Sequence, residues 1–261
     1  LGYERMHNPV LQKTDRNEFI EHKVSEDHFQ PPYFKQMERY NLEGAPPLDK
    51  LPCPQPFSPA EFAKGIDEGM LVVDIRSPEA FAGAHVPGSY SLPLDMLPAF
   101  AGMFLYYDKP LGLVVENPEQ IDTAVRGLTR IGYDNIPAFL AGGLHAWETD
   151  GRQYDTISTV HVSEVEKRLD NGNGFTLLDV RSKEEYLSGH LRNAVQIYLG
   201  ELPYKLDKIP PGRPVTTFCG SGQRAMIAAA LLRQNGIYNV EDCLGSMDAC
   251  SSVECHVIKQ E

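Results

Sequence analysis

An internal repeat constrains this chain more than any other feature. The run Leu71-Val72-Val73-Asp74-Ile75-Arg76-Ser77-Pro78-Glu79-Ala80-Phe81 returns as Thr176-Leu177-Leu178-Asp179-Val180-Arg181-Ser182-Lys183-Glu184-Glu185-Tyr186, an offset of 105 residues that also carries His85 onto His190. Each copy reads as a buried strand ending in Asp-x-Arg-Ser, with Ser77 or Ser182 capping the next helix. Downstream, residues 132–136 answer 236–240, and 141–147 answer 244–250. Strands that alternate with helices form a parallel sheet covered on both faces. Two copies of ~100 residues make two such domains, meeting near residues 151–154.

The copies differ where chemistry would sit. In the second, Val215-Thr216-Thr217-Phe218 reads as a strand and 225–232 as a helix, and between them stands Cys219-Gly220-Ser221-Gly222-Gln223-Arg224. Glycines at 220 and 222 let successive backbone N–H groups point inward, and a helix N-terminus adds partial positive charge. Arg224 adds a forked cation. Cys219 is the candidate nucleophile, expected to have a lowered pKa and to be a thiolate at neutral pH. Arg224 is the second candidate catalytic residue, and Gly220, Ser221, Gly222, Gln223 and Arg224 are the candidate substrate cradle. The first copy has Leu113-Val114-Val115-Glu116-Asn117-Pro118-Glu119-Gln120 instead. It lacks a thiol, its glutamates repel anions and Pro118 lacks an N–H, so a catalytically inactive domain is expected.

Asp74, Arg76, Asp179 and Arg181 are read as structural ion pairs at strand ends, and His85 and His190 as structural hydrogen-bonding groups. The formal net charge of −12 argues against nonspecific nucleic-acid binding and against an anionic membrane surface. Neither a ~20-residue apolar span nor a secretory signal is visible. The five cysteines, 53, 219, 243, 250 and 255, show neither scaffold spacing nor a C-x-x-C pair. A reducing cytoplasm is the simpler reading. Apart from Cys219 they are assigned to packing or surface, with Cys250 or Cys255 a resolving thiol on number alone.

The Asp-x-Arg-Ser strands, Gly189-His190, the Cys-x-x-x-x-Arg loop and the Gly-Gly-x-x-Ala-Trp run at 142–147, degraded at 245–250, resemble the rhodanese superfamily over residues 55–258. The resemblance implies an α/β fold of two rhodanese-like domains, each a parallel sheet flanked by helices. It implies transfer of sulfane sulfur from thiosulfate or a glutathione persulfide, through a Cys219 persulfide, to a thiol or to cyanide. The partners are then a small anionic sulfur donor and a thiol acceptor. One rival is a Cys-based phosphatase or arsenate reductase, whose loops hold five residues between Cys and Arg where this one holds four. The other is a regulatory pair that only docks partners.

Residues 1–54 differ from the rest. Asp15 and Glu18 read as a capping box for a short helix, and residues 33–40 read as a second helix with an aromatic face. Pro52, Pro54 and Pro56 mark a linker. Leu1-Gly2-Tyr3-Glu4-Arg5, Asn8-Pro9, Glu18-Phe19, Pro31-Pro32-Tyr33-Phe34 and Asn41-Leu42-Glu43-Gly44 resemble the C-terminal tail of metallo-β-lactamase-fold persulfide dioxygenases. That resemblance, and a start at Leu1, lead us to expect the C-terminal part of a dioxygenase–rhodanese fusion. The family's iron cluster has no counterpart among His7, His22, His28, His85, His145, His161, His190 and His256. The expected division is 1–54 helical tail, 55–152 inactive domain and 153–261 active domain, with no cofactor or metal in this chain and iron confined to a missing N-terminal domain.

Overall fold

The computed structural model describes residues 2–26, 29–172 and 174–259; Leu1 of the tail motif and His28 lie outside them. The chain falls into two compact units, 1–31 and 32–261. The first holds α1 (Gly2–His7), a 3-10 turn and α2 (Arg16–Ser25). Asp15 caps α2 through the N–H groups of Asn17 and Glu18. The expected capping box is not closed: the Glu18 carboxylate holds Lys13 Nζ at 2.9 Å.

The second unit opens with α3 (Tyr33–Glu43). Its aromatic face packs on the first repeat, Tyr33 against Gly102 and Tyr40 against Gly132, where an added Cβ would come within 2.7 and 3.0 Å of the rings. The first repeat then runs β1 (Gln55–Phe57), α4 (Pro59–Asp67), β2 (Leu71–Asp74), α5 (Pro78–Gly83), β3 (Tyr90–Ser91), α6 (Leu97–Phe104), β4 (Leu111–Val114), α7 (Gln120–Thr129), β5 (Ala138–Leu140) and α8 (Gly143–Thr149). The second runs β6 (Ser158–His161), α9 (Val162–Asp170), β7 (Thr176–Asp179), α10 (Lys183–Ser188), β8 (His190–Leu191), β9 (Val195–Gln196), β10 (Val215–Phe218), α11 (Gln223–Gln234), β11 (Val240–Leu244), α12 (Ser246–Val253) and β12 (Val257–Ile258).

Among the described residues the repeats build matching five-stranded sheets, ordered β1-β5-β4-β2-β3 and β6-β11-β10-β7-β9, with every pair parallel. A short antiparallel ladder joins β12 to β8. This is the expected fold class, α/β with two parallel sheets flanked by helices and a helical segment in front. Among the described residues no helix is long and apolar enough to cross a membrane.

Helix α11 joins the repeats. Every residue from Ala225 to Leu232 is buried, and a helix apolar all round must be enclosed on all sides. It packs on β10 and β11 on one side and on β3 and α5 of the first repeat on the other. Polar contacts pin both its ends. Gln223 Nε2 donates to Asp95 Oδ2 at 3.0 Å, and Gln234 Nε2 donates to the Gly88 and Ser89 carbonyls at 2.9 and 3.1 Å.

The strand-end pairs are built alike. Arg76 Nη2 meets Asp74 Oδ2 at 2.6 Å and donates to the Ala84 carbonyl at 2.8 Å. Arg181 Nη2 does the same with Asp179 at 2.6 Å and the Gly189 carbonyl at 2.8 Å. All four residues are buried, and each pair ties the start of a turn to its end. His85 stacks on Phe81 at 3.9 Å and bonds its carbonyl through Nδ1. His190 does so with Tyr186 at 3.8 Å.

Candidate active site

Cys219 follows β10 directly and is fully buried. What shapes its loop is the N-terminus of α12. The Cys219 and Gly220 carbonyls accept from Met247 and Asp248 N–H at 3.2 and 2.9 Å, and the Ser221 carbonyl accepts from Gly245 N–H at 3.1 Å. In a trans peptide the N–H points opposite to its C=O. Tying three carbonyls to the start of α12 therefore turns the N–H groups of Gly220, Ser221 and Gly222 the other way. The Gly222 N–H reaches Cys219 Sγ at 3.1 Å.

Gly222 sits at φ 105°, and an added Cβ would stand 3.2 Å from Leu244 Cα and 3.3 Å from Gly245 N. Only glycine fits both the conformation and the space. Ser246, at φ 38° and fully buried, accepts from Cys219 N–H at 3.1 Å and donates to the Cys243 carbonyl at 2.6 Å.

One expectation about this loop is corrected. The thiol is not eased into ionisation: burial pushes the Cys219 pKa up, against the Gly222 and Ala225 N–H groups and Arg224, which pull it down. The sequence pattern registers donors and cation but not depth. Arg224 is a paired cation. Its guanidinium forks onto Glu185, Nη2 to Oε1 at 2.7 Å and Nη1 to Oε2 at 2.8 Å. That pairing draws the Glu185 carboxyl down to about 2. Ser182 N–H fixes the same carboxylate at 3.0 Å, closing the capping box of α10.

Gly220, Ser221 and Gln223 line the outer side of the loop. Gly220 and Gln223 are half-buried, Ser221 is exposed, and Gln223 is held by Asp95. Glu185, Ser246 and Asp95 were not among the sequence candidates. Ser182-x-x-Glu185 was legible as a capping box, but its second role depends on a residue 39 positions away.

In the first repeat, Asp74 pairs with Val114, as Asp179 pairs with Phe218 in the second. The residue after each strand is thus Val115 or Cys219, and buried Val115 takes the thiol's place. Its loop N–H groups are already used: Glu116 and Asn117 N–H both donate to Gln120 Oε1 at 3.1 Å.

Cys250 and Cys255, expected as packing or surface thiols, form a disulfide with Cα atoms 5.0 Å apart. The chain turns back after α12, and that turn brings together residues whose spacing carried no pairing signal. Cys250 stands where the first repeat has Trp147, whose Nε1 donates to the Gln153 carbonyl at 2.8 Å; each anchors the segment after its helix. Burial pushes Cys243 up to about 12, and Cys53 is exposed. Among the described residues no group of His, Cys, Asp or Glu is arranged to hold a metal.

Paired parallel sheets, one carrying a thiol beneath a loop of turned-in N–H groups, define the class. The chain belongs to the rhodanese family: the family model described as Rhodanese-like domain matches residues 58–150 and 161–252. The chain is 28% identical over 93 residues to a sulfurtransferase of Allochromatium vinosum, covering 36% of this chain and 87% of that one. It is 30% identical over 78 residues to the thiosulfate sulfurtransferase GlpE of Tolumonas auensis, covering 30% and 72%. It spans 55% of a Bacillus subtilis relative with which it shares 26% identity over 106 residues. Among solved structures it is similar to a thiosulfate sulfurtransferase from Pseudomonas aeruginosa, at 20% identity and TM-score 0.38, covering 74% of this chain and 41% of that one.

Proposed function

We propose that this chain is a sulfurtransferase that moves sulfane sulfur from thiosulfate or a persulfide to a thiol or cyanide through a persulfide on Cys219. The observation that carries the reading is Cys219 Sγ held at 3.1 Å from Gly222 N–H, in a loop whose Cys219, Gly220 and Ser221 carbonyls are drawn to the start of α12. Sγ attacks the outer sulfur of the donor, the donor's S–S bond breaks, and a new S–S bond forms on Cys219. The proton of the buried thiol departs with the leaving thiolate or sulfite, so no separate general acid is needed. The turned-in N–H groups stabilise charge on the transferred sulfur. An acceptor thiolate or cyanide then takes that sulfur in a ping-pong cycle. Relatives that bear the sulfurtransferase name support the chemistry.

The first repeat supplies no nucleophile to this step. Val115 fills the nucleophile's place, which favours packing or docking for residues 55–152. The tail resemblance supports an upstream metallo-β-lactamase-fold dioxygenase in the parent protein, oxidising persulfide to sulfite while this pair exchanges sulfur between thiosulfate and glutathione persulfide. The test is steady-state transfer to cyanide or a thiol. Parallel-line kinetics that Cys219→Ser abolishes and Cys53→Ser leaves intact support the reading; transfer that survives Cys219→Ser contradicts it.

A further inference from the structure

Both sides of the loop carry charges, and their pairing decides which donor they welcome. The Glu185–Arg224 fork is net neutral and lies against the loop, with Arg224 Nη2 only 3.3 Å from where a Cβ on Gly220 would stand. Glu185 cannot easily swing aside, because Ser182 N–H holds it from α10. Arg181, the neighbouring guanidinium, is spent on Asp179 and the Gly189 carbonyl. Lys205 is bound to Glu201 at 2.7 Å. Among the described residues Asp95 meets the neutral amide of Gln223. The cations named are thus each matched by a carboxylate, while one carboxylate is left over.

We infer that Glu185 sets the donor: by neutralising Arg224 it makes the Cys219 site select a singly charged persulfide over the thiosulfate dianion. This rests on the sulfurtransferase reading. A dianion whose outer sulfur enters the loop brings its sulfonate to the loop's mouth, where both guanidiniums are already taken. A persulfide brings a terminal sulfur that the N–H groups can hold and, behind it, a group that needs no cation. The step balances: Cys219–SH and R–S–S⁻ become Cys219–S–S⁻ and R–SH. The donor's S–S bond breaks, one to Sγ forms, and the thiol proton leaves on R–S.

The test compares kcat/KM for thiosulfate and for hydroxyethyl persulfide in wild type and Glu185→Gln. Wild type is expected to favour the persulfide. Freeing Arg224 is expected to raise the thiosulfate-to-persulfide ratio about tenfold, the effect of one new charge-assisted hydrogen bond to the donor. A merely structural role for Glu185 would lower both donors together and leave the ratio unmoved, which would overturn the inference. Ionic strength gives a second reading on wild type alone, independent of how the variant folds. With no available cation, thiosulfate kcat/KM stays flat or rises with salt; a steep fall reports an unpaired cation and overturns the inference. Wild type that uses thiosulfate as well as persulfide overturns the inference alone. Wild type that uses neither overturns the parent reading and this one with it.

Discussion

Ser246 Oγ accepts from the Cys219 N–H at 3.1 Å and donates its own O–H to the Cys243 carbonyl at 2.6 Å. The hydroxyl thus links the nucleophile's backbone to the strand beside it, at a position where the first repeat has Gly143. Ser246→Ala keeps the backbone but leaves a buried N–H without a partner, a loss of about 1–3 kcal/mol. The melting temperature and the rate of sulfur transfer should both fall. A variant as stable and active as wild type would show that the link carries nothing.

Gly222 meets two demands at once, a left-handed φ of 105° and a backbone 3.2 Å from any added Cβ. Gly222→Ala should cost about 1–3 kcal/mol from conformation alone. It should also displace the N–H that stands 3.1 Å from Sγ, so transfer should fall further than stability does. Gly220→Ala, whose nearest obstacle is the end of the Arg224 side chain at 3.3 Å, should be milder. Paired melting and rate measurements on the two variants check the order.

The Cys250–Cys255 disulfide closes a short loop, a sequence separation of 5, behind the helix that holds the catalytic loop. Its chain-entropy contribution is about 2 kcal/mol. Reductant should lower the melting temperature by a matching amount. Thiol titration in denaturant should find the three free cysteines, Cys53, Cys219 and Cys243, without reductant and all five with it. Five thiols before reduction would contradict the pairing.

Asp242 is fully buried on β11. Burial first, then the like charge of Glu79, raise its pKa to about 8, with Thr217 pulling weakly the other way. The folded protein therefore holds a proton that the unfolded chain, with its ordinary value of 3.8, releases. Stability is highest below the unfolded value and is lost as pH rises towards about 8, by up to about 5 kcal/mol. Asp242→Asn cannot ionise and should escape that loss. Its stability relative to wild type should climb between about pH 4 and pH 8; a pH-independent difference would contradict an unpaired buried acid.

Periodicity and repetition made both sheets legible, since the apolar run Leu71-Val72-Val73 before Asp74 returns as Leu177-Leu178 before Asp179. The Cys219 loop was legible because glycines, a thiol and an arginine are rare together between a strand and a helix. What the sequence concealed was long-range. Arg224 finds Glu185 across 39 positions, and Asp95 comes from the other repeat. Ser246 looked like a decayed glycine, yet it supplies a hydroxyl that glycine lacks. The thiol's raised pKa follows from its depth under α11, which local pattern does not report. The apolar length of 225–232 was the available signal for that depth, because a helix with no polar face must be covered on every side.

The most direct test is intact mass after incubation with excess hydroxyethyl persulfide, comparing Cys53→Ser with Cys53→Ser/Cys219→Ser, so that the exposed thiol is absent from both. The account predicts the gain of one sulfur atom in the protein that retains Cys219 and none in the other, with the added sulfur lost on adding cyanide. Gain of sulfur by both proteins, or by neither, would contradict a persulfide carried on Cys219.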